Sequence, residues 1–508
     1  MDRISALPKG ILHDILERLP DKDAAKTCVL SKSWRQTWFS FPVLSVRREN
    51  IISFHDFPRN PEDPIWLGKV DMFTEYVTKR LMRLRDQHLT IKEVKLDLTN
   101  ITICTQVDHH IDRWIQIAIE SGVEVLELRL TGGPMRNWYN LPLCVAEAKS
   151  LTKLVLSGEI RLDPAFINHS LKFFSMRTLS LSHILFGDEG VMEHFISHCP
   201  LIEHLTLHFC NVYNPLSVGD PSGSGICKLN SLSLHGLRKL KGASVKGILE
   251  VYIAAPNLEN LCYVAPADMD ESFKLNLDSC TNLKCLSLSY LRSPDKWLLE
   301  LLYKIPFLQS LMLHYCSLSE RINIMSAQLK VLELSYCSNV KEVNVDAPNL
   351  LSLVYRGENQ PVISFRRTSN ELEVKVCSCS LRNCLQNIKP QNILASVSLF
   401  IYQSFPIEPM HGAFQVSSIP PTVRRLELAC PPENEALYFP FMNYLFSSCC
   451  PKLITFKLSS NKVDRKAFIE IVKVTCSFKF DENADLKTML DALPKCSYDE
   501  KIAFMLEL

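Results

Sequence analysis

Three short stripes of apolar residues open the chain, each with helical spacing. Ile11, Leu12, Ile15, Leu16 and Leu19 recur at intervals of three and four and share one broad helix face. Pro8 suits an early helical position, where a missing N–H costs nothing, and Pro20 stops the run. Asp21 or Asp23 can cap a second helix that carries Ala24, Ala25, Cys28 and Val29. Ser31 or Ser33 can start a third, with Trp34 and Trp38 on one side and Lys32, Arg35 and Gln36 on the other. A unit this small cannot bury so much apolar surface by itself. The surplus must meet either the rest of the chain or another protein.

From about residue 120 the pattern changes to a repeat, Leu-x-x-Leu-x-Leu. Clear copies are Leu151-Leu154-Leu156, Met176-Leu179-Leu181, Ile202-Leu205-Leu207 and Leu229-Leu232-Leu234, then Leu283-Leu286-Leu288, Leu308-Leu311-Leu313 and Leu329-Leu332-Leu334. Leu258-Leu261-Tyr263 and Leu350-Leu353-Tyr355 are variants, Val123-Leu126-Leu128 is an early member, and Val423-Leu426-Leu428 and Leu453-Phe456-Leu458 resume the pattern later. Leu283, Leu308, Leu329 and Leu350 follow one another at intervals of 25, 21 and 21 residues. That is the period of leucine-rich repeats, roughly 20–29 residues. The last two leucines of each copy lie two apart, so they share one face of a strand and point into a core common to neighbouring repeats. Each is worth about 1.5–3 kcal/mol only if the next repeat covers it, so the array is stable where a single repeat is not. The residue between them faces outward on the inner, concave sheet. Thr206, Ser233, Ser287, Met312 and Glu333 hold such positions, and we expect them exposed and free to read a target.

Between the strands the sequence predicts helical or irregular returns. Val191, Met192, Phe195 and Ile196 form one apolar helix face, and Trp297, Leu298, Leu301 and Leu302 another. Cys210, Cys316 and Cys337 each stand three residues past a final leucine, where a small buried group suits the bend off the strand. Pro58, Pro61 and Pro64 mark a linker, followed by a helix with Val70, Phe73, Val77 and Leu81 on one face. In the tail, Leu486, Met489, Leu490 and Leu493 predict a helix that caps the array.

Charge narrows the choice of partner. Lys and Arg total 56 against 55 Asp and Glu, so no net field draws the protein to nucleic acid or membrane. Asp2, Arg3, Pro8 and Lys9 interrupt any early apolar run, and no segment of about 18 apolar residues follows, so neither a secretory signal nor a membrane span is expected. The 19 cysteines lack a disulfide framework of spacings and read as reduced, mostly buried thiols of the cytoplasm or nucleus.

The order of motifs in the opening segment carries a resemblance. Leu7-Pro8, Ile11-Leu12, Ile15-Leu16, Leu19-Pro20, Asp23-Ala24-Ala25, Val29-Leu30-Ser31-Lys32 and Trp34-Arg35 resemble an F-box, in wording closest to plant F-box proteins. The Asp112-Arg113-Trp114-Ile115 helix, Gly122-Val123, Leu126-Glu127-Leu128, Leu141-Pro142 and Cys199-Pro200-Leu201 are similar to plant F-box/leucine-rich-repeat proteins. The FBD domain that ends many of them has no recognisable pattern in residues 460–508.

The resemblance implies an α/β protein in which a three-helix F-box precedes a leucine-rich-repeat solenoid, with a parallel concave sheet and a helical or irregular convex side. It implies an F-box over 1–45, a linker and connecting helix over 46–90, the array over 91–460 and a helical cap over 461–508. It further implies a substrate-recognition subunit of a Skp–cullin–F-box ubiquitin ligase, without catalytic residues or cofactor. The adaptor would dock through Leu7, Pro8, Ile11, Leu12, Ile15, Leu16, Pro20 and Val29, and through it a cullin–RING ligase, while the array holds a target protein. The alternative is a leucine-rich-repeat scaffold or ligand receptor whose helical N-terminus merely caps the array. Burial of the Pro8 and Ile11/Leu12 face against residues 70–130 would favour it.

Other chemistry is weakly signalled. The glycine-rich run from Gly219 to Gly225 lacks a following Gly-Lys-Ser/Thr and reads as a surface loop. His194, His198, Cys199, His204, His208 and Cys210 imitate a zinc set, but His204 and His208 belong on a strand away from the helix that bears the first two, so no metal site is expected. Cys377, Cys379 and Cys384 lack a fourth ligand at sensible spacing. The basic clusters Lys79-Arg80, Arg83 and Arg85, and Arg238-Lys239 with Lys241, read as solvated faces. Neither a Gly-x-Ser-x-Gly elbow nor a His-Glu-x-x-His helix occurs.

Overall fold

A computed structural model describes residues 7–19, 21–46, 64–99, 107–130, 138–214, 225–266, 273–292, 295–357 and 361–377. Five further strands, between 388 and 505, are described by their backbone alone. The chain forms two compact units, Met1–Leu258 with Lys274–Cys280, and Glu259–Phe273 with Thr281–Leu508.

The first unit begins with helices α1 (Lys9–Arg18), α2 (Asp21–Lys26) and α3 (Lys32–Phe39). Pro8 precedes α1 in an extended conformation. Ser31 caps α3, its hydroxyl accepting from the Trp34 amide at 3.2 Å. Leu12, Leu16, Ala24, Trp34 and Phe41 form the core of the bundle, with Leu7, Ile15, Leu19, Trp38 and Val43 packed around it. Helix α4 (Pro64–Asp86) buries Val70, Phe73, Val77, Leu81 and Leu84, and crosses α5 (Asp108–Glu120) at Trp114. The indole of Trp114 meets Phe73 edge-on at 5.9 Å and donates to Thr78 Oγ1 at 2.9 Å.

A parallel sheet follows, and it starts earlier than residue 91. Its first strand is Val43–Val46, which pairs in register with Glu93–Asp97. The chain runs straight from the bundle core through Phe41 and Val43 into the sheet, so the bundle and the first strand share packing. Parallel strands Val125–Leu130, Lys153–Gly158, Thr178–Ser182, His204–His208 and Gly242–Lys246 extend it. Cross-strand register aligns Leu126, Leu154, Leu179, Leu205 and Ala243, and then Leu128, Leu156, Leu181, Leu207 and Val245. All are buried, the interior ladder expected from the repeat.

One copy lies elsewhere. Ser231–Leu234 pairs with Glu250–Ile253, which in turn pairs with Lys274–Asn276, in a separate sheet. The strand beside His204–His208 is Gly242–Lys246, whose inward residues are Ala243 and Val245 rather than leucines. The returns are also more extended than expected. Helix α6 (Glu189–Ser197) forms where predicted, capped by Asp188, but Tyr139–Asn140, Ile160–Leu162, Leu185–Phe186 and Asn211–Tyr213 make a second, outer sheet.

The second unit repeats this plan. Parallel strands run Asn260–Val264, Cys285–Ser289, Ser310–His314, Val331–Ser335, Ser352–Arg356, Glu373–Cys377, Ser396–Phe400, Thr422–Ala429 and Cys450–Leu458. Helix α7 (Asp295–Lys304) is one return; the next three are Arg321–Met325, Glu342–Ala347 and Val362–Thr368, an outer sheet extended by Ile388–Lys389. Cys316 and Cys337 are buried at the bends and donate to the carbonyls of Leu288 and Leu313. Within the expected helical cap, the described piece is a strand: Glu500–Met505 pairs antiparallel with Cys450–Leu458. Its alternating Ile502 and Phe504 suit a sheet edge better than a helix face. The expected helix around Leu486–Leu493 and residues 219–224 of the glycine-rich run lie outside the described residues. Among the described residues no helix is long and apolar enough to cross a membrane.

Candidate functional site

The three-helix bundle sorts its apolar stripe into two sets. Leu12 and Leu16 are completely enclosed, and Leu7 and Ile15 pack against the same cluster, so these four hold the bundle together. Ile11 is 46 % exposed, Val29 82 % and Leu30 64 %, and Pro8 is exposed beside them in sequence. The resemblance put Leu7, Pro8, Ile11, Leu12, Ile15, Leu16 and Val29 in one docking set; the structure buries Leu12 and Leu16 in the bundle core and leaves Pro8, Ile11 and Val29 exposed. Pro20 lies outside the described residues. Leu30, absent from the expected set, joins the exposed one. It sits after the short 3₁₀ turn Thr27–Val29, a break in helical phase that periodicity alone does not register. Among the described residues, Pro8 and Ile11 stay exposed rather than buried against the residues of 70–130.

The bundle is tied to α4 by Arg80. Expected as part of a solvated basic face, Arg80 is instead 3 % exposed. Its guanidinium donates to the carbonyls of Trp38 at 2.6 Å and Phe41 at 3.2 Å, and lies 4.3 Å above the Trp38 ring. Burial pushes its pKa down to about 10, which leaves it protonated at neutral pH. Three residues on, Arg83 covers the Phe39 ring at 4.1 Å.

The outward positions of the inner sheets are half-buried rather than open. In the second unit Ser287, Met312, Glu333 and Val354 form one cross-strand row. Glu333 is engaged within it: Arg356 pairs with it, Ser335 Oγ donates to it at 2.9 Å, and His314 Nδ1 lies 4.0 Å away. In the first unit Thr206 lies between Ser180 and Ser244, and His208 Nε2 meets the Ser244 hydroxyl at 2.7 Å. Burial, then Lys246, then His183 lower the His208 pKa to about 4. Ser233 belongs to neither row, because its strand lies in the separate sheet.

Sequence reasoning missed the residues at the strand ends. Tyr290, Tyr315 and Tyr336 each follow an inner strand directly, each with φ between 53° and 60°. Their rings stack at 5.1 Å, with interplanar angles of 6° and 8°, and stay about half exposed. A left-handed backbone costs a non-glycine residue about 1–2 kcal/mol; aromatic stacking returns about 0.5–1.5 kcal/mol per pair. The available signal was the tyrosine preceding Cys316 and Cys337, one residue short of the ladder cysteine.

Two histidines of the zinc-like set bond to backbone carbonyls. His194 Nε2 contacts the His169 carbonyl at 2.9 Å and His198 Nδ1 that of His194 at 2.8 Å. Among the described residues no group of three His, Cys, Asp or Glu is placed to hold a metal.

Comparison with known proteins agrees with this geometry. A family model described as At1g61320/AtMIF1, LRR domain, matches residues 84–276 and 272–467, and an F-box domain model matches residues 4–45. An Arabidopsis thaliana protein named for its F-box, At3g44060, is 32 % identical over 277 residues, 54 % of this chain and 59 % of its own. The F-box/FBD/LRR-repeat protein At5g22660 of the same plant is 27 % identical over 299 residues, 54 % of this chain and 58 % of its own. This chain thus spans about three fifths of the length of these relatives. Among solved structures, an internalin of Listeria monocytogenes is similar at 14 % identity over 65 % of this chain and 88 % of its own, with a TM-score of 0.33. With its opening helices matched as an F-box and well over half of its length matched as leucine-rich repeats, the chain belongs to the F-box/leucine-rich-repeat family.

Proposed function

We propose that this protein is the substrate-recognition subunit of a Skp–cullin–F-box ubiquitin ligase. Its F-box docks a Skp-type adaptor, and its repeat array holds a target protein near the ubiquitin-charged enzyme. Such a receptor performs no bond chemistry; it raises the effective concentration of target lysines. The observation that carries the reading is the division of the F-box stripe. Leu12, Leu16, Trp34 and Phe41 already complete a core, yet Ile11, Val29 and Leu30 remain in solvent. Exposed aliphatic residues on a small bundle mark a surface that another protein covers. Within the adaptor face we place Pro8, Ile11 and Val29 in contact and add Leu30. Thr206, Ser287 and Met312 remain our candidates for target contact, with Glu333 reaching a target together with Arg356.

We assign the F-box to 1–45, the connecting helix to 64–86 and the array up to 460. The cytoplasm and nucleus, where the ligase machinery operates, are its expected compartments. The test is co-purification of the full chain with a Skp-type adaptor, comparing wild type with Ile11→Asp/Val29→Asp. Both sites are exposed, so the melting temperature should hold while adaptor recovery falls at least about tenfold. Undiminished recovery from the double variant would overturn the docking assignment.

A further inference from the structure

On the outer side of the second unit, a groove of about 450 Å³ runs between α7 and the sheet Arg321–Met325, Glu342–Ala347 and Val362–Thr368. Leu299 of α7 and Met325 form its apolar wall; Asn323, Asn344, Asp346 and Arg366 form its polar floor. We propose that this groove is a docking site for an acidic peptide segment of a partner protein, in which an Asp or Glu is flanked by aliphatic side chains.

Backbone geometry builds the cationic end. Val345 lies opposite Phe365, but Asp346 lies opposite Arg367, so Arg366 is an extra residue in its strand. A bulge of this kind redirects the inserted side chain and recurs beside binding sites. Its two neighbouring arginines consequently have different tasks. Arg367 grips both carboxylate oxygens of Asp346, at 2.7 and 2.9 Å. Arg366 lines the groove; its charge acts on Asp346, but among the described residues it makes no ion pair of its own. Asp346, the one carboxylate of the lining, is thus already held by Arg367 from beside the groove, which leaves the Arg366 guanidinium of the lining to be matched. A carboxylate from outside matches it, in the forked geometry that guanidinium groups favour.

The remaining lining fits a peptide better than a lone anion. Asn344 Nδ2 donates to Asn323 Oδ1 at 3.1 Å. Among the described residues this leaves Asn323 Nδ2 as a donor and Asn344 Oδ1 as an acceptor, the pair of functions that a peptide main chain offers in return. Leu299 and Met325 are 43 % and 60 % exposed, and one helical turn beyond Leu299 on the same face Tyr303 is 89 % exposed. Aliphatic side chains beside the acid cover this wall. A thioether such as Met325 adapts readily to differing aliphatic shapes.

The full chain carrying ¹³C-methyl methionine tests the proposal through the Met325 resonance, assigned with Met325→Leu. The probes are the blocked hexapeptide Gly-Leu-Asp-Leu-Leu-Gly, its Asn counterpart, and sodium acetate. The Asp peptide should shift the Met325 signal saturably, with the Asn peptide at least about tenfold weaker. Arg366→Gln should weaken the Asp peptide by a similar factor and leave the Asn peptide unchanged. Leu299→Asp should weaken both. No saturable shift at millimolar peptide, equal binding of the two peptides, or an acetate response as strong as the peptide's would each overturn the proposal. A melting curve for each variant establishes folding; should Arg366→Gln melt early, Arg366→Lys, which keeps the charge but not the fork, takes its place with the same expected order. Neither adaptor nor ligase enters the measurement, so its outcome is independent of the ligase role proposed above.

Discussion

Replacing Arg80 with methionine should loosen the joint between F-box and array without disturbing either core. Methionine keeps most of the side chain's length and apolar stem but removes the guanidinium. Two hydrogen bonds are lost, to the carbonyls of Trp38 and Phe41, together with the contact over the Trp38 ring. A charged hydrogen bond is worth about 1.5–3 kcal/mol, and an unpaired carbonyl costs about 1–3 kcal/mol. The two carbonyls do not suffer equally. The Trp38 oxygen also accepts from the Ser40 and Phe41 amides, so its loss is partial. Against these losses stands relief of the desolvation that already lowers the Arg80 pKa. Wild-type Arg80 also buries Nε without a partner, which methionine removes. A net loss of about 2–3 kcal/mol results, close to a 30- to 150-fold rise in local opening. Hydrogen exchange of the full chain reads this directly. Amides of the α3 end, from Gln36 to Phe41, should exchange faster by that factor, while Leu179 and Leu205 on the sheet should not change. Arg80→Lys, a single ammonium without the fork, should fall between. Unchanged exchange at the α3 end in Arg80→Met would refute the role of the guanidinium as a tie.

Three further outcomes follow from the same structure. Leu12→Ala, a deletion in the bundle core, should cost about 2–5 kcal/mol in denaturant unfolding of the first unit, in contrast to the neutral effect expected at Ile11. The folded-state pKa of His208 sits near 4 against an ordinary 6.5. The unfolded chain therefore binds the proton first, and stability should decline as pH falls from about 6.5 to about 4; His208→Gln should flatten that part of a melting-temperature profile. Asp346 is held below its ordinary 3.8 by Arg367. Its contribution is complete above that value and is lost as pH falls through the lowered one, so Asp346→Asn should erase an acid-side slope in unfolding of the second unit.

The sequence was most legible where period and chemistry agreed. The alternation in Leu283-Leu286-Leu288 and its neighbours marks strands whose register the sheet reproduces residue for residue. It failed at Leu229-Leu232-Leu234 because an outer strand that packs on the same core shows the same alternation. It also failed to find Gly242–Lys246, where Ala243 and Val245 replace leucine. Gly247, just past that strand, has φ of 79°, and a Cβ there would stand 2.8 Å from the Phe209 ring. In the F-box, the stripe from Ile11 to Leu19 identified a helix but not which residues were core. Apolar character is equal at Ile11 and Leu12, and only the positions of α2 and α3 separate them. Arg80 was misread for a related reason: its neighbours Lys79 and Arg83 are charged as well, and a buried cation looks like a surface one until its carbonyl partners are in place. The Arg366 bulge left no trace in the sequence beyond two consecutive arginines.

The tyrosine stack has a consequence of another kind. Three nearly parallel phenol rings, stacked at 5.1 Å, form a row of coupled chromophores. Such a row rotates near-ultraviolet light far more strongly than three isolated tyrosines. Each ring sits one residue past its strand, so insertion or deletion of a single residue between strand and bend ejects that ring and breaks the coupling. Changes of length in the outer returns leave it intact. The chain therefore carries its own optical gauge of repeat register.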